Sequence, residues 1–321
     1  MTKPIPIKWS NPHITRSIPP ELETLKDLQK RLPDTLHEKS REITNQMLTI
    51  LSGHYGEVRI DEILTGILLP EPYTIIPNFH ARISQKRYTQ IDTLIITSKF
   101  ILHIEIKNIR GKIEFLQNPS RMKRTYDEKE SYFDCPFTQI QRNHYALLLM
   151  LRKLDLPIPV HRALVFANKS CEIVTSDKRC TILFPKQLEA HILELSRLPS
   201  VLNKRQLKQL VNQLHSFQTP FLYEDICLKQ GLDLATLKKG VFCQECTGRL
   251  IQQTRNWKCG KCGSVERNPL PRTLKHLLQF SSELEKSKEL RKWLGIKSQQ
   301  TLYRARKTLM LQISSIGNGT S

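Results

Sequence analysis

No part of this chain is apolar for long enough to cross a bilayer. The longest apolar run, Tyr145 to Leu151, falls far short of the roughly 20 residues a membrane helix needs. The first twenty residues lack the apolar centre of a secretory signal. Met1 to Arg16 also lacks the pattern of a basic amphipathic anchor, the usual device for lying on an anionic membrane. No internal repeat recurs. These absences set aside spanning, secreted and solenoid classes and predict a cytoplasmic globular protein. Negative charge is scarce as well: 30 Asp and Glu stand against 50 Lys and Arg, a formal +20 with a pI near 9.7. Such an excess attracts polyanions through counterion release and carries no sequence preference. The basic residues recur along the whole chain, as in Arg121-Met122-Lys123-Arg124, Lys204-Arg205 and Lys238-Lys239. Diffuse charge of this kind suits a long backbone footprint, so nucleic acid is the partner expected and a membrane is not. With 321 residues, 39% hydrophobic and 25% charged, the chain has the material for two or three folded domains.

Two segments carry the chemistry. Gln90 to Thr97 and Phe100 to Lys107 are rich in β-branched and aromatic residues, and Ser98-Lys99 lies between them, which predicts an antiparallel hairpin. Counting outward from Thr97 opposite Phe100 sets Asp92 opposite Glu105 and Gln90 opposite Lys107. Alternation then places Gln90, Asp92, Glu105 and Lys107 on one face, with Ile91, Thr93, Ile95, Leu102, Ile104 and Ile106 on the other. Carboxylates about 5 Å apart repel, and in a partly buried site one must protonate unless a cation lies between them. A divalent ion removes the conflict, and Mg²⁺ favours a site of one or two carboxylates that leaves positions for water and phosphate oxygens. Lys107 would then stabilise charge on an attacked phosphate or orient the attacking water. An exposed salt-bridge ladder is the competing reading of Glu105-Ile106-Lys107 alone. His103 shares this face but sits opposite Leu94 and reads as structural.

Upstream, Gly53-His54-Tyr55-Gly56-Glu57 opens or breaks a helical run with an apolar stripe of Val58, Ile60, Ile63, Leu64, Ile67 and Leu68. Glu57 lies beside a glycine that permits close approach, so it is placed to complete the metal site. Taken alone, it reads first as an ordinary first-turn glutamate that complements the helix dipole. These blocks, in order Gly53-x-x-Gly56-Glu57, Ile76-x-Asn78, Gln90-Ile91-Asp92-Thr93-Leu94-Ile95-Ile96-Thr97 and Ile104-Glu105-Ile106-Lys107-Asn108-x-x-Gly111-Lys112-Ile113, resemble the nuclease-related domain family, a branch of the PD-(D/E)xK, restriction-endonuclease-like superfamily. The resemblance covers roughly residues 45 to 165. It implies a catalytic set of Glu57, Asp92, Glu105 and Lys107, supported by Gln90. It also implies that Pro136-Phe137-x-Gln139, at the head of a helix running to about Leu154, lays Gln139 beside the site. Cys135 stands where the family often has Asn.

Cys243-x-x-Cys246 and Cys259-x-x-Cys262 form two knuckles whose four thiolates suit a tetrahedral Zn²⁺ in a zinc ribbon, with Gly248, Gly260 and Gly263 allowing the tight turns. Disulfides are the alternative, disfavoured in a reducing cytosol. Four thiolates leave no open position, so this zinc is structural. Arg255 and Lys258 with Trp257 read either as a nucleic-acid surface or as a solvated face around a small core. Cys135, Cys171, Cys180 and Cys227 lack metal spacing and read as buried small hydrophobes. From Pro271 three helices follow, to about Glu285, then Ser287 to Leu294, then Ser298 to about Leu311, with a turn at Gly295-Ile296. This resembles a helix-turn-helix unit, in which Gln299, Gln300, Arg304, Arg306 and Lys307 face nucleic acid; a helical hairpin packed on the preceding domain is the alternative.

The fold class expected is α/β: a restriction-endonuclease-like mixed sheet flanked by helices, with a small zinc ribbon and an all-α tail. The strands lie near 73–78, 90–97, 100–107, 112–115, 162–166 and 181–184, with an exposed, charged segment from Asn118 to Glu130. Residues 1–40 form an extension and first helix, 41–200 the nuclease-related domain, 201–240 a helical connector, 241–267 the ribbon and 268–321 the tail. The function expected is hydrolysis of DNA with Mg²⁺ or Mn²⁺. A DNA-binding regulator on an idle nuclease fold and an RNA-processing nuclease are the alternatives, and the sequence leaves the oligomeric state open.

Overall fold

The computed structural model describes residues 14–69, 71–84, 87–174, 179–219 and 225–318. In chain order the elements are α1 (Pro20–Arg31), α2 (His37–Gly66), β1 (Thr74–Ser84), β2 (Arg87–Ile96), β3 (Ile101–Lys107), β4 (Gly111–Leu116), β5 (Arg121–Tyr126), β6 (Lys129–Asp134) and α3 (Pro136–Arg152). They continue with β7 (Val160–Phe166), β8 (Cys171–Ile173), β9 (Thr181–Leu183), α4 (Pro185–Leu195), α5 (Lys204–Phe217) and α6 (Ile226–Lys229). The last are β10 (Leu250–Gln252), β11 (Trp257–Cys259), β12 (Val265–Glu266), α7 (Leu270–Phe280), α8 (Ser287–Leu294) and α9 (Gln299–Asn318). The chain divides into two compact units, one from residues 1–17 and 52–221, the other from 18–51 and 222–321. The division falls within α2, which runs unbroken through Gly53 and Gly56 where the sequence pattern left open an opening or a break.

The first unit is a mixed five-stranded sheet in the order β1-β2-β3-β7-β9. β1, β2 and β3 are antiparallel, whereas β7 and β9 continue parallel to β3. A central strand covered on both faces needs apolar residues at consecutive positions, and Ile101 to Ile106 are all buried. On one face Ile95, Leu102, Ile104 and Ile106 pack with Ile60 and Leu64 of α2 and Leu188 and Ile192 of α4. On the other, Leu94, Ile96 and Ile101 pack with Leu147 and Met150 of α3 and Leu207, Leu210 and Leu214 of α5. Proline at the first position fixes the start of α3, and Asn203 starts α5 with a capping box to Gln206.

A second sheet of this unit, β6-β5-β4-β8, turns Ile113, Phe115 and Met122 onto Phe137 and Ile140 of α3. Most of the charged segment Asn118 to Glu130 is therefore strand: β5 and β6 pair across a turn at Asp127 and Glu128, whose φ angles are 49° and 60°. Two consecutive left-handed residues make the tight turn whose twist suits a hairpin. Neither is glycine, so composition does not announce it.

The second unit packs α1 and the first part of α2 with a three-stranded β10-β11-β12 sheet and α7, α8 and α9 around one core, in which Leu25, Leu28 and Ile43 meet Trp257, Phe280, Trp293 and Leu302. Arg31 lies fully buried in it. Its guanidinium pairs with Asp27 at 2.9 Å, donates to the carbonyls of Lys238 and Gly240, and stands 4.7 Å from the Phe242 ring, 5.7 Å from Phe280 and 6.0 Å from Trp293. Removing one partner of a buried ion pair costs about 3–5 kcal/mol, because the other charge is left uncompensated. Arg31→Met is accordingly expected to lower the unfolding free energy of this unit in urea by that order, followed through its tryptophan fluorescence, and a change below about 1 kcal/mol would show that the pair is dispensable.

Candidate functional site

Asp92 and Glu105 stand at the end of the β2–β3 ladder. Its register runs from Ile96 opposite Ile101 to Thr93 opposite Ile104, and the Thr97 amide donates to the Phe100 carbonyl at 3.0 Å. Beyond Thr93 the backbone pairing stops. There the Asp92 carboxylate replaces it, Oδ2 accepting the Ile106 amide at 2.7 Å. Asp92 is 8% exposed and Glu105 1%. Lys107 Nζ lies 2.6 Å from Glu105 Oε1 and donates to Gln139 Oε1 at 3.1 Å. Among the described residues, Glu105 Oε2 is buried without a hydrogen-bond partner.

Glu57 reaches this place because α2 docks tightly against the end of β3. A Cβ on Gly56 would come within 2.5 Å of Asn108 Cβ, so only glycine permits the approach. The Asn108 amide fastens it, donating to the Ser52 carbonyl at 2.7 Å. Glu57 Oε2 pairs with Arg16 at 2.8 Å.

Arg16 was not legible as a site residue, since the segment before α1 reads as proline-rich and irregular. Its side chain is 1% exposed. It donates to both oxygens of Asp61, at 2.8 and 3.1 Å, and to Glu57, Asn78 Oδ1, Thr93 Oγ1 and the Asp92 carbonyl. The cost of burying that charge is opposed by Asp61, Glu57 and Asp92, and its pKa is held above the ordinary value.

These contacts set the charges. Burial, then the Asp92 charge, push Glu105 up to about 8 against the pull of Lys107. Burial raises Asp92 too, opposed by Lys107, the Ile106 amide and Arg16. Glu57 rises to about 7 through burial and then the Asp92 charge, with Arg16 opposing. Burial works against the Lys107 ammonium, but Glu105 and Asp92 outweigh it and keep it charged. Three carboxyls thus share one field.

Of the residues read from the sequence, the structure gathers Asp92, Glu105, Lys107 and Gln139, with Glu57 beside them. It does not bring Gln90 to them. The Gln90 side chain is exposed, and what it contributes is a backbone carbonyl that accepts from Asn143 at 2.6 Å. The cause lies at Asn78, whose φ of 47° breaks the alternation where β1 passes Asp92. Ile91 consequently packs with Leu94, Ile96 and Ile101, on the face opposite to the one that strict alternation assigns it. His103 is fully buried opposite Leu94, and burial lowers it to about 3, so it is neutral.

In the second unit the Sγ atoms of Cys243, Cys246, Cys259 and Cys262 all lie within 4.8 Å of one another, and none is in a disulfide. That is a donor set able to hold a metal ion. The Gly248 and Lys261 amides donate to Cys246 and Cys259 sulfurs at 3.2 and 3.4 Å, and a Cβ on Gly248 would meet Cys259 Sγ at 2.7 Å. Trp257 belongs to the core of this unit, whereas Arg255 and Lys258 are exposed. Gly295, with φ 68°, ends α8, and Ser298 caps Thr301 in the first turn of α9. Gln299, Gln300, Arg304 and Lys307 are exposed, while Arg306 braces α9 against Ser287 and the Glu285 carbonyl.

The raised carboxyls fix a sign. Above the ordinary carboxyl range, the ion-free folded protein binds protons that the unfolded chain has released, so stability is lost as pH rises through about 7 to 8. Between those values, wild-type protein without divalent ions is expected to lose melting temperature relative to Glu105→Gln. Parallel pH profiles for the two would count against the buried, ionisable Glu105.

Residues 52–167 match the family model described as the nuclease-related domain. No curated protein and no solved structure matches the chain. The segment that carries Glu57, Asp92, Glu105, Lys107 and Gln139 is a nuclease-related domain.

Proposed function

We propose that this protein is a nuclease that hydrolyses phosphodiester bonds in DNA with a divalent ion, Mg²⁺ or Mn²⁺, and that its four cysteines hold a structural Zn²⁺. The observation that carries the hydrolytic reading is Glu105: one oxygen is held by Lys107 and the other is buried without a partner beside Asp92. A native protein rarely leaves a buried carboxylate oxygen unsatisfied, and a hard cation that prefers oxygen ligands fits it.

Asp92 and Glu105 would hold the ion, with Glu57 assisting directly or through water. The ion supplies charge neutralisation and a water made acidic enough to attack at neutral pH. The Ile106 amide fixes one Asp92 oxygen, and among the described residues none donates to the other, which is free to face the ion. Lys107, kept charged and aimed by Gln139, is placed to bind a phosphate oxygen and stabilise the charge that grows on it. Arg16 holds Glu57 by one oxygen and leaves the second available.

In the second unit, exposed Arg255, Lys258, Arg304 and Lys307 supply phosphate contacts, and Gln299 and Gln300 at the start of α9 are placed as a helix-turn-helix places its base-reading residues. Cys243, Cys246, Cys259 and Cys262 would hold the zinc that closes the ribbon. A regulator that binds DNA without cutting it is the second reading, and RNA is the alternative substrate.

Purified protein with Mg²⁺ or Mn²⁺ is expected to cut plasmid or linear DNA. Asp92→Ala and Lys107→Ala should each lose about 10²–10³-fold in rate while DNA affinity stays. Binding without cleavage under either ion would favour the regulator, and cleavage confined to RNA would change the substrate. Metal analysis is expected to find about one zinc per chain. Its extraction with a mercurial should shift the Trp257 emission, and an unchanged spectrum would show that the ribbon folds without metal.

A further inference from the structure

The β5–β6 hairpin separates its charges by face. Cross-strand pairing sets Met122 opposite Phe133, Arg124 opposite Ser131 and Tyr126 opposite Lys129 on one side, and Arg121, Lys123 and Thr125 opposite Asp134, Tyr132 and Glu130 on the other. On the second side the ionic groups satisfy one another: Lys123 pairs with Glu130 at 2.6 Å, and Arg121 sits over the Tyr132 ring. The first side carries no acid along its strands. Its inner end is core, where Met122 packs with Phe137 and Ile140 of α3. Phe133, on β6 opposite Met122, is 40% exposed, and Tyr126, beside the turn, is 37% exposed. Arg124 lies 5.0 Å from the Tyr126 ring and donates to the backbone carbonyl of Arg110, itself an exposed residue, at 2.9 Å.

The inner end of this face rests on α3, the helix that also carries Gln139. Phe137 and Ile140, which seat its inner end, flank Gln139, and Gln139 accepts the hydrogen bond from Lys107. Arg110, Arg124 and Lys129, which pair with no acid among the described residues, and two part-exposed rings are complementary to a polyanion whose bases offer flat apolar faces. Stacked base pairs hide those faces, whereas a single strand exposes them. Resting on the hydrolytic reading above, we propose that this side of the β5–β6 hairpin is a single-strand nucleic-acid platform, on which Tyr126 and Phe133 stack bases and Arg110, Arg124 and Lys129 hold phosphates, feeding the strand toward Lys107. The hairpin rises about 3.3 Å per residue, so the platform takes about two nucleotides.

Fluorescence anisotropy of the full-length protein without added Mg²⁺ or Mn²⁺, with labelled oligothymidine, oligouridine and duplex DNA of equal length, tests this. The double variant Tyr126→Ala/Phe133→Ala is expected to weaken single-strand binding by about ten-fold or more and to leave duplex binding within about two-fold. Tyr132→Ala, on the opposite side, should change neither. The oligothymidine and oligouridine arms show which single strand is held. Arg124→Gln/Lys129→Gln keeps the test open if the aromatic variant does not fold, and should flatten the salt dependence of single-strand binding by about one logarithmic unit per unit. An aromatic variant that binds as wild type, an equal loss on duplex, or an equal loss in Tyr132→Ala would overturn the platform. Failure of the two readings is distinguishable: loss of affinity with no Mg²⁺-dependent cleavage keeps the platform and removes the hydrolysis, while cleavage with unmoved affinity does the reverse.

Discussion

Burying carboxylates is the constraint on which the first unit depends. Each charged acid taken out of water costs several kcal/mol unless something answers it. Asp61 and one oxygen of Glu57 are answered by Arg16, one oxygen of Glu105 by Lys107 and one oxygen of Asp92 by the Ile106 amide. The compensation stops short: Glu105 Oε2 has nothing, and the protein settles the remainder by holding protons, which is why Glu57 and Glu105 rise to about 7 and 8. A site built only for stability would close this gap with another donor or replace the acids by apolar residues. Leaving it open suits the proposed divalent ion, which would take the place of those protons.

The geometry that exposes this gap is made by departures from regular structure. Asn78 at positive φ breaks the pleat of β1 beside Asp92, and its side chain accepts from Arg16, so the break and the cation stabilise each other. Gly56 brings α2 to Asn108 with no intervening side chain. Both features cost local stability, the first in backbone strain and the second in chain entropy, and the surrounding apolar clusters on the two sheet faces offset them.

What the sequence revealed and what it withheld follow from the range of the interactions. The β2–β3 register was readable because a short turn and β-branched strands fix it locally, and the cysteine knuckles because two spacings and four identical ligands leave little freedom. The start of α3 at Pro136 was readable for the same local reason. Strict alternation failed at Ile91 and Gln90, because it assumes an unbroken pleat and the break comes from Asn78 on a neighbouring strand. Arg16 was invisible: nothing in a proline-rich opening says which of its cations will meet acids 41 and 45 positions later. The β5–β6 hairpin was masked by a turn of Asp127 and Glu128 in place of glycine or asparagine. Trp257 was ambiguous because burial is a property of the whole second unit, including α1, which lies more than two hundred residues earlier in the chain.

That last point redistributes the recognition chemistry. Trp257 and Trp293 are committed to the core of the second unit, and Arg306 to bracing its helices. Among the described residues of the cysteine-bearing sheet and α9, the exposed groups suited to nucleic acid are cations, the two glutamines and a single ring, Tyr303. Cations without aromatic partners hold phosphates and position a chain, and they discriminate little among bases. A pair of part-exposed rings on one face, Tyr126 and Phe133, lies on the hairpin of the nuclease-related domain, which rests on the helix that carries Gln139. Affinity drawn from diffuse charge and strand handling drawn from a local aromatic surface are separable physical tasks, and in this chain different residues are available for each.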